Sequence, residues 1–159
     1  MTETKSLQER YAPQNQCFGC GPANEQGLRI RSFPGADTAS GELVCDWHPQ
    51  DHHLAFGKVL NGGIIGTLLD CHSNWTATWH LMQRDGLSGP PCTVTLEFHV
   101  RFKRPTPLDQ PLRLTARVVS SENDRVGTEA TLSSDGKVTA TCTGTFVAVK
   151  PGHPAYYRW

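Results

Sequence analysis

Apolar residues recur at spacings of three and four along the stretch from Lys58 to Met82. Such spacing places them on one face of a helix of about five to six turns. Two adjacent glycines stand where this helix should begin, and its predicted buried face consists of Ile64, Leu68, Cys71, Trp75, Trp79 and Met82. The pattern therefore predicts one long core helix.

A second stripe on the same helix carries polar chemistry. Gly62, Gly66, Asp70 and Asn74 follow one another at intervals of four, so they share one narrow side. A carboxylate inside an otherwise buried helix destabilises the fold unless it has a bonding partner or a function, because burial disfavours its charged form. Asp70 is thus a candidate catalytic residue, although a carboxylate bonded to a neighbouring threonine or amide for structural reasons is the alternative.

The remaining pattern is mostly β. Apolar and polar residues alternate in segments bounded by Gly, Pro, Asn and Asp, and Asp135-Gly136 is a hairpin signal. Strands are predicted at 28–33, 41–47, 92–103, 112–120, 126–133 and 137–149. The fold class is therefore α+β, with an antiparallel sheet of five or six strands around one long central helix. The expected organisation is a flexible leader at 1–15, one domain at 16–150 and a C-terminal tail at 151–159.

The spacing of Gly62 and Asp70 predicts an oligomer. The free N–H groups of a helix start attract negative charge, so the amide of Gly62, with Gly63 beside it, is a candidate oxyanion donor. Eight residues of helix span roughly 12 Å, whereas a donor and an attacking group must both lie within about 3.5 Å of the reacting centre. One chain cannot supply both groups to one centre. If the helix is catalytic, we expect a homodimer with two sites across its interface.

Composition narrows the classes of function. The chain has 159 residues, with 15 basic and 15 acidic side chains, so its net charge does not indicate nucleic acid or an anionic membrane as a partner. We expect a soluble, cytoplasmic protein, because no long apolar run or signal-peptide pattern occurs. Its six cysteines do not resemble a secreted disulfide framework.

The pair Cys17 and Cys20 has the spacing of metal-binding cysteines, but a structural zinc site needs four ligands. His48, His52 and His53 are candidates to complete such a site in space. A redox pair and a tight turn that packs two small sulfur groups are the other interpretations, and the turn is preferred. We therefore expect no bound metal.

Two stretches resemble a known family. The segment Val-Leu-Asn-Gly-Gly-Ile-Ile-Gly-Thr-Leu-Leu-Asp at 59–70 is similar to the His-Gly-Gly and Leu-Asp signature of hotdog-fold acyl-CoA thioesterases of the phenylacetate-pathway (PaaI-like) branch. The segment from Thr93 to Pro105 resembles the strand that leads this family into a basic residue and proline. The resemblance covers roughly residues 26 to 148. It implies the hotdog fold and a substrate that is a small or medium acyl-CoA or an acyl-carrier thioester. It also implies no cofactor other than the substrate's coenzyme A, and a homo-oligomer, either a dimer or a tetramer.

The resemblance and the helix pattern together give a candidate site. Asp70 is predicted to act as general base on water or as nucleophile on the thioester carbonyl, and Asn74 to orient water or the carboxylate. Thr95 matches a family Ser or Thr and is predicted to hold Asp70 or the water, or else is only a strand-forming residue. Asn61 replaces the family's usual histidine, and it is either a helix N-cap or a substrate contact.

The substrate-binding residues are less sharply defined. Ala55 stands where the family commonly has Asn or Gln, and His53 is the candidate substitute for orienting the carbonyl, unless it is only a solvated side chain. Arg101, Lys103 and Arg104 either meet the phosphates of coenzyme A or solubilise an exposed face.

Two other functional classes stay open at the level of the sequence. A member of the hydratase branch of hotdog proteins is expected to have an Asp-x(4)-His pairing. Neither Asp46 nor Asp51 has a histidine five positions on. A non-catalytic module that binds acyl-CoA is the remaining alternative to a thioesterase, and the changes at Asn61 and Ala55 favour it mildly.

Overall fold

The structure is a computed structural model, and it describes residues 4–159. Its α-helices are α1 (Leu7–Tyr11) and α2 (Gly62–Asp85). In chain order, the strands are β1 (Phe33–Pro34), β2 (Leu43–Trp47), β3 (Leu54–Phe56), β4 (Val59–Leu60), β5 (Thr93–Phe102), β6 (Leu112–Glu122), β7 (Arg125–Ser134) and β8 (Lys137–Ala148). Short 3-10 turns lie at Thr38–Ser40 and Asp51–His53.

Six strands form one antiparallel sheet in the order β1-β2-β6-β7-β8-β5, and β3 pairs with β4 in a separate hairpin. Helix α2 packs across β5, β6, β7 and β8. Its apolar residues and the inward residues of the sheet form a core whose fully buried members include Leu68, Leu69, Trp75, Leu114, Leu132 and Phe146. The predicted α+β hotdog architecture is confirmed, with six strands.

Helix α2 is longer than its apolar pattern predicts. It runs 24 residues and ends at Gly86, whose φ of +63° is the left-handed conformation that glycine tolerates best. The last turn is held by Arg84, whose guanidinium donates to Ser121 Oγ and the Asn123 carbonyl. These contacts come from the end of β6 and the turn after it, so the local sequence does not indicate them.

The predicted strand at 28–33 is wrong except for its last residue. Its backbone pairs with the N-terminal segment instead of the sheet, because the amides of Leu28 and Ile30 donate to the carbonyls of Phe18 and Gly19. Arg29 interrupts the extended chain with a φ of +53°. The apolar residues of this segment alternate because they are buried beneath a loop, and they do not form a strand.

The predicted flexible leader is also wrong for residues 4–15; residues 1–3 lie outside the described part of the chain. Helix α1 begins at Ser6 with a capping box. Gln8, fully buried, bonds Ser32 through both ends of its amide, and Ser32 Oγ lies 2.9 Å from Nδ1 of the buried His72 on α2. This polar chain fixes the N-terminal segment against the central helix.

The predicted hairpin at Asp135-Gly136 is confirmed. Both residues have positive φ, +50° and +72°, as a two-residue type I′ turn requires. This turn fixes the register of β7 against β8, with Ser134 opposite Lys137.

All six cysteines are free thiols, in agreement with the composition. Across residues 4–159, no helix combines the length and apolar character needed to cross a bilayer.

Candidate active site

Asn61 is the N-cap of α2. Its Oδ1 accepts hydrogen bonds from the amides of Gly63 (2.8 Å) and Ile64 (3.2 Å). The Gly63 amide, predicted as an auxiliary oxyanion donor, is therefore occupied by the cap. The Gly62 amide donates no hydrogen bond within residues 4–159. One backbone donor at the positive end of the helix remains for a ligand.

A cleft of about 490 Å³ opens beside this donor. Gly62 lies on its wall, and the other lining side chains are mainly apolar: Ala55, Phe56, Val59, Leu60, Ile65 and Phe102. Lys103 and Arg104 line the same cleft and are exposed, whereas Arg101 is not among its lining residues. The structure thus places two of the three predicted phosphate-binding residues beside the predicted oxyanion donor.

Asp70 lies two turns further along α2 and is half-buried. The hydroxyl of Thr95 donates a 2.7 Å hydrogen bond to Asp70 Oδ1. Burial raises the pKa of Asp70, and this outweighs the Thr95 hydrogen bond and the positive charge of Arg158, which both lower it. A carboxylate held in this way remains a better proton acceptor than an exposed one.

Strand β5 runs beside the small-residue stripe of α2 and supplies Thr95. Ideal Cβ atoms on Gly62 and Gly66 would lie 3.5 Å from Phe102 and 3.8 Å from Phe98, so these rings cover the glycines. Strict alternation would point Thr95 away from the face that carries Phe98. The pairing of β5 with β8 shifts between Thr95 and Glu97, so Leu96 is an extra residue in a β-bulge. The bulge turns Thr95 toward Asp70.

Asn74 lies one turn beyond Asp70 and is 5% exposed. Within the described residues, its side-chain Oδ1 has no hydrogen-bond partner. A buried amide oxygen without a donor is costly, so this atom is suited to accept a hydrogen bond from a ligand or a water molecule. The predicted role of Asn74 in orienting water stays a prediction.

His53 is not the solvated side chain considered as one alternative. It is buried, its ring stacks on Trp47 with centroids 5.1 Å apart, and its Nδ1 accepts from the Gln50 amide. Its backbone carbonyl accepts from the Asn61 amide at 2.9 Å. Burial, with the nearby His52, lowers the pKa of His53. The observed contacts of His53 position the start of α2.

Cys17 and Cys20 meet a third cysteine that sequence analysis did not connect with them. The sulfurs of Cys17, Cys20 and Cys71 lie within 4.8 Å of one another, and none of His48, His52 and His53 joins them. Hydrogen bonds from the Cys20 and Cys71 thiols lower the pKa of Cys17. The same interaction with Cys17 raises the pKa of Cys20 to about 12 and also raises that of Cys71. The cluster therefore favours a thiolate at Cys17.

Arg158 is a second group near the site that no sequence pattern predicts. Its guanidinium donates to the Thr93 carbonyl, and its charge acts on Asp70. The adjacent Trp159 packs on Trp75 of α2, with ring centroids 4.7 Å apart. Part of the predicted tail thus packs beside the site, although no local pattern marks it.

One chain does not bring the two predicted catalytic groups together. Gly62 and Asp70 both lie on α2, and eight residues of regular helix separate them by roughly 12 Å. The donor and the carboxylate of one chain therefore belong to two different half-sites.

Comparison with known proteins gives the family. A sequence model of the thioesterase-like superfamily matches residues 45–152, which is more than half of the chain. The chain belongs to the thioesterase-like superfamily. None of the curated proteins compared with this chain matches it.

Solved structures of the thioesterase-like superfamily share the fold. A phenylacetic acid degradation-related protein from Ralstonia eutropha JMP134 is 29% identical, with 81% of this chain and 92% of that chain covered and a TM-score of 0.66. The PaaI protein from the phenylacetic acid degradation operon of E. coli is 17% identical (77% and 81% covered, TM-score 0.64). Zebra fish thioesterase superfamily member 2 is 19% identical (80% and 90% covered, TM-score 0.64). The resemblance found in the sequence is confirmed at the level of family and fold.

Proposed function

We propose that this protein hydrolyses acyl thioesters as a homodimer, in which Gly62 of one subunit and Asp70 of the partner subunit act on the same thioester. The observation that supports this proposal most strongly is a pair of groups on α2, one a free amide and the other a half-buried carboxylate. The Gly62 amide is a free donor at a helix start, and Asp70 is a half-buried carboxylate with a raised pKa. Membership of the thioesterase-like superfamily gives the reaction class.

The dimer is proposed to form along the free edge of β5. This strand ends the six-stranded sheet, and Leu96, Phe98 and Phe102 on it are 54%, 43% and 56% exposed. A long strand edge with exposed apolar residues is suited to pair with a second copy. A two-fold axis at this edge makes the two α2 helices antiparallel and brings each Gly62 toward Asp70 of the partner subunit.

In the proposed reaction, the thioester carbonyl oxygen accepts the Gly62 N–H, which stabilises the negative charge that develops on it. Asp70 of the partner subunit takes a proton from water, which attacks the carbonyl carbon, or it attacks that carbon directly and water then hydrolyses the anhydride. The carbon–sulfur bond breaks in either case, and the products are a carboxylic acid and a thiol. Asn74 Oδ1 orients the water.

The acyl carrier is proposed to be coenzyme A. Lys103 and Arg104 are exposed on the wall of the cleft that contains Gly62, where they can meet phosphate groups. Replacing both by alanine should raise KM for an acyl-CoA at least about tenfold and leave KM for the matching acyl-pantetheine unchanged, because pantetheine lacks the nucleotide phosphates. Lys137→Ala, at the exposed β7–β8 turn, is the control.

Thiol release from a panel of short, aromatic and long acyl-CoAs tests the reaction itself. Wild-type protein should turn over at least one class, and Asp70→Ala should lower kcat by about 10²- to 10⁴-fold while the dimer persists. Size-exclusion chromatography with light scattering monitors the dimer. Tight acyl-CoA binding without turnover in the wild type would replace this proposal with that of a non-catalytic binding module.

A further inference from the structure

The cluster of Cys17, Cys20 and Cys71 has no role in the proposed hydrolysis. Cys17 and Cys20 lie on a loop that packs against α2, and Cys71 belongs to the helix itself, 54 positions after Cys17. Cys20 is buried, and Cys17 and Cys71 are partly buried. Such a convergence of three sulfurs from two separate segments calls for an explanation beyond packing.

The sulfur positions have the dimensions of a thiolate metal site. The Cys17 and Cys71 sulfurs lie 3.8 Å apart, and all three lie within 4.8 Å of one another. Zinc–sulfur bonds of about 2.3 Å in a tetrahedron give sulfurs about 3.8 Å apart. A disulfide requires about 2.05 Å and engages only two sulfurs, so it would leave the third cysteine without a partner.

A positively charged side chain and a buried polar group lie near the cluster. The indole N–H of Trp75, a residue that is only 1% exposed, has no hydrogen-bond partner among residues 4–159. Arg158 lines the same surface cleft as Cys17 and supplies a positive charge near the cluster.

The loop is built to place its sulfurs close to the helix. A Cβ atom on Gly19 would lie 2.3 Å from Cys71 Sγ and 2.9 Å from Thr67 Cγ2. Only glycine allows this approach at position 19, directly before Cys20. The amide of Gly21 donates to the Cys17 carbonyl at 2.8 Å and closes the turn.

We propose that Cys17, Cys20 and Cys71 bind one Zn²⁺ ion through three thiolates, with a water molecule as the fourth ligand. Cys17 is half-exposed and borders a cleft with Asn15 and Arg158, which is the side from which water can reach the ion. Three soft sulfur ligands select a thiophilic ion, and zinc prefers four-coordinate geometry. The ion ties the N-terminal loop to α2 at the residue that follows Asp70. This proposal does not depend on thioester hydrolysis.

Metal content tests the proposal directly. The protein is prepared in zinc-supplemented medium and reducing buffer and is then dialysed against metal-free buffer. Inductively coupled plasma mass spectrometry should then find about one zinc ion per chain. Cys17→Ser, Cys20→Ser and Cys71→Ser should each retain at least about tenfold less. Cys142→Ala is the matched control, because Cys142 is buried but lies outside the cluster, and it should retain the full amount.

A spectroscopic measurement on the wild type covers the case in which a variant fails to fold. Cobalt(II) added to the metal-free protein should give the near-ultraviolet thiolate-to-cobalt absorption of a sulfur-ligated site, and added zinc should abolish it. Absence of bound zinc and of this absorption would overturn the proposal. So would zinc retained by all three folded serine variants, or a Cys17–Cys20 or Cys17–Cys71 disulfide found under reducing conditions.

Discussion

Thr95 and Asp70 are 25 positions apart in the chain, and a 2.7 Å hydrogen bond joins the Thr95 hydroxyl to the Asp70 carboxylate. The bond links edge strand β5 to central helix α2 and fixes which carboxylate oxygen is free. It therefore defines the direction in which Asp70 can act on water or on a carbonyl carbon.

This bond predicts that Thr95 is a positioning residue. Thr95→Val keeps the shape of the side chain and removes the donor, so kcat/KM for an acyl-CoA should fall about 10- to 100-fold, as expected for loss of a hydrogen bond to a charged group. Thr95→Ser keeps the donor and should remain within about threefold of wild type. Steady-state kinetics provide the measurement. Equal rates for the valine and wild-type proteins would contradict the assigned role.

A methyl group added at Gly62 should leave folding unchanged but impair catalysis. A Cβ atom there lies 3.5 Å from Phe102, an ordinary contact, so Gly62→Ala should change the free energy of unfolding by less than about 0.5 kcal/mol. Because Gly62 lies on the cleft wall, the methyl should obstruct the carbonyl oxygen and lower kcat/KM at least about tenfold. Gly66→Ala is the control, since Gly66 has similar space but does not line the cleft. Equal losses in both variants would argue against a specific donor at Gly62.

Asn61 should contribute to stability as a cap. Asn61→Ala removes the acceptor for two helix amides and should lower the free energy of unfolding by about 1 kcal/mol in urea titration. Asn61→Asp keeps the acceptor and should retain most of this stability. A stable alanine variant with strongly reduced kcat would instead identify Asn61 as a substrate contact, which is the other interpretation of its sequence position.

The free edge of β5 should be the dimer interface. Leu96→Lys introduces a charge at that edge and should convert the dimer to a folded monomer, with hydrolysis reduced at least about 100-fold because neither half-site is then complete. Val119→Lys on β6 is a control of matched exposure, 55% against 54%, and should remain dimeric. Sedimentation velocity and circular dichroism monitor assembly and fold. A fully active Leu96→Lys monomer would refute the shared site.

The elements that a sequence can specify locally were predicted well. Some features depend only on neighbours within a few residues, so they are visible in the sequence. They are the periodicity of α2, the alternation in β6, β7 and β8, and the glycine at position 136. The cap at Asn61 and the stripe that includes Asp70 follow from the same local rules.

The missed features depend on contacts between distant segments. Cys71 meets Cys17 only because a loop folds onto α2, and Arg158 reaches Thr93 from the far end of the chain. The failed strand at 28–33 has an alternating pattern, but its backbone bonds go to residues 18 and 19. An alternating pattern predicts that a residue is buried, but it does not predict which segment packs against that residue.

Because Leu96 is an extra residue in β5, the environment of the Asp70 carboxylate depends on the number of residues in that strand. Deleting one residue from this part of β5 would restore strict alternation and direct the Thr95 hydroxyl to the outer surface, even though every side chain mentioned for the site would still be encoded. Relatives can therefore lose or acquire this contact through an insertion or deletion of a single codon, and a comparison of residue identities alone would not detect the change.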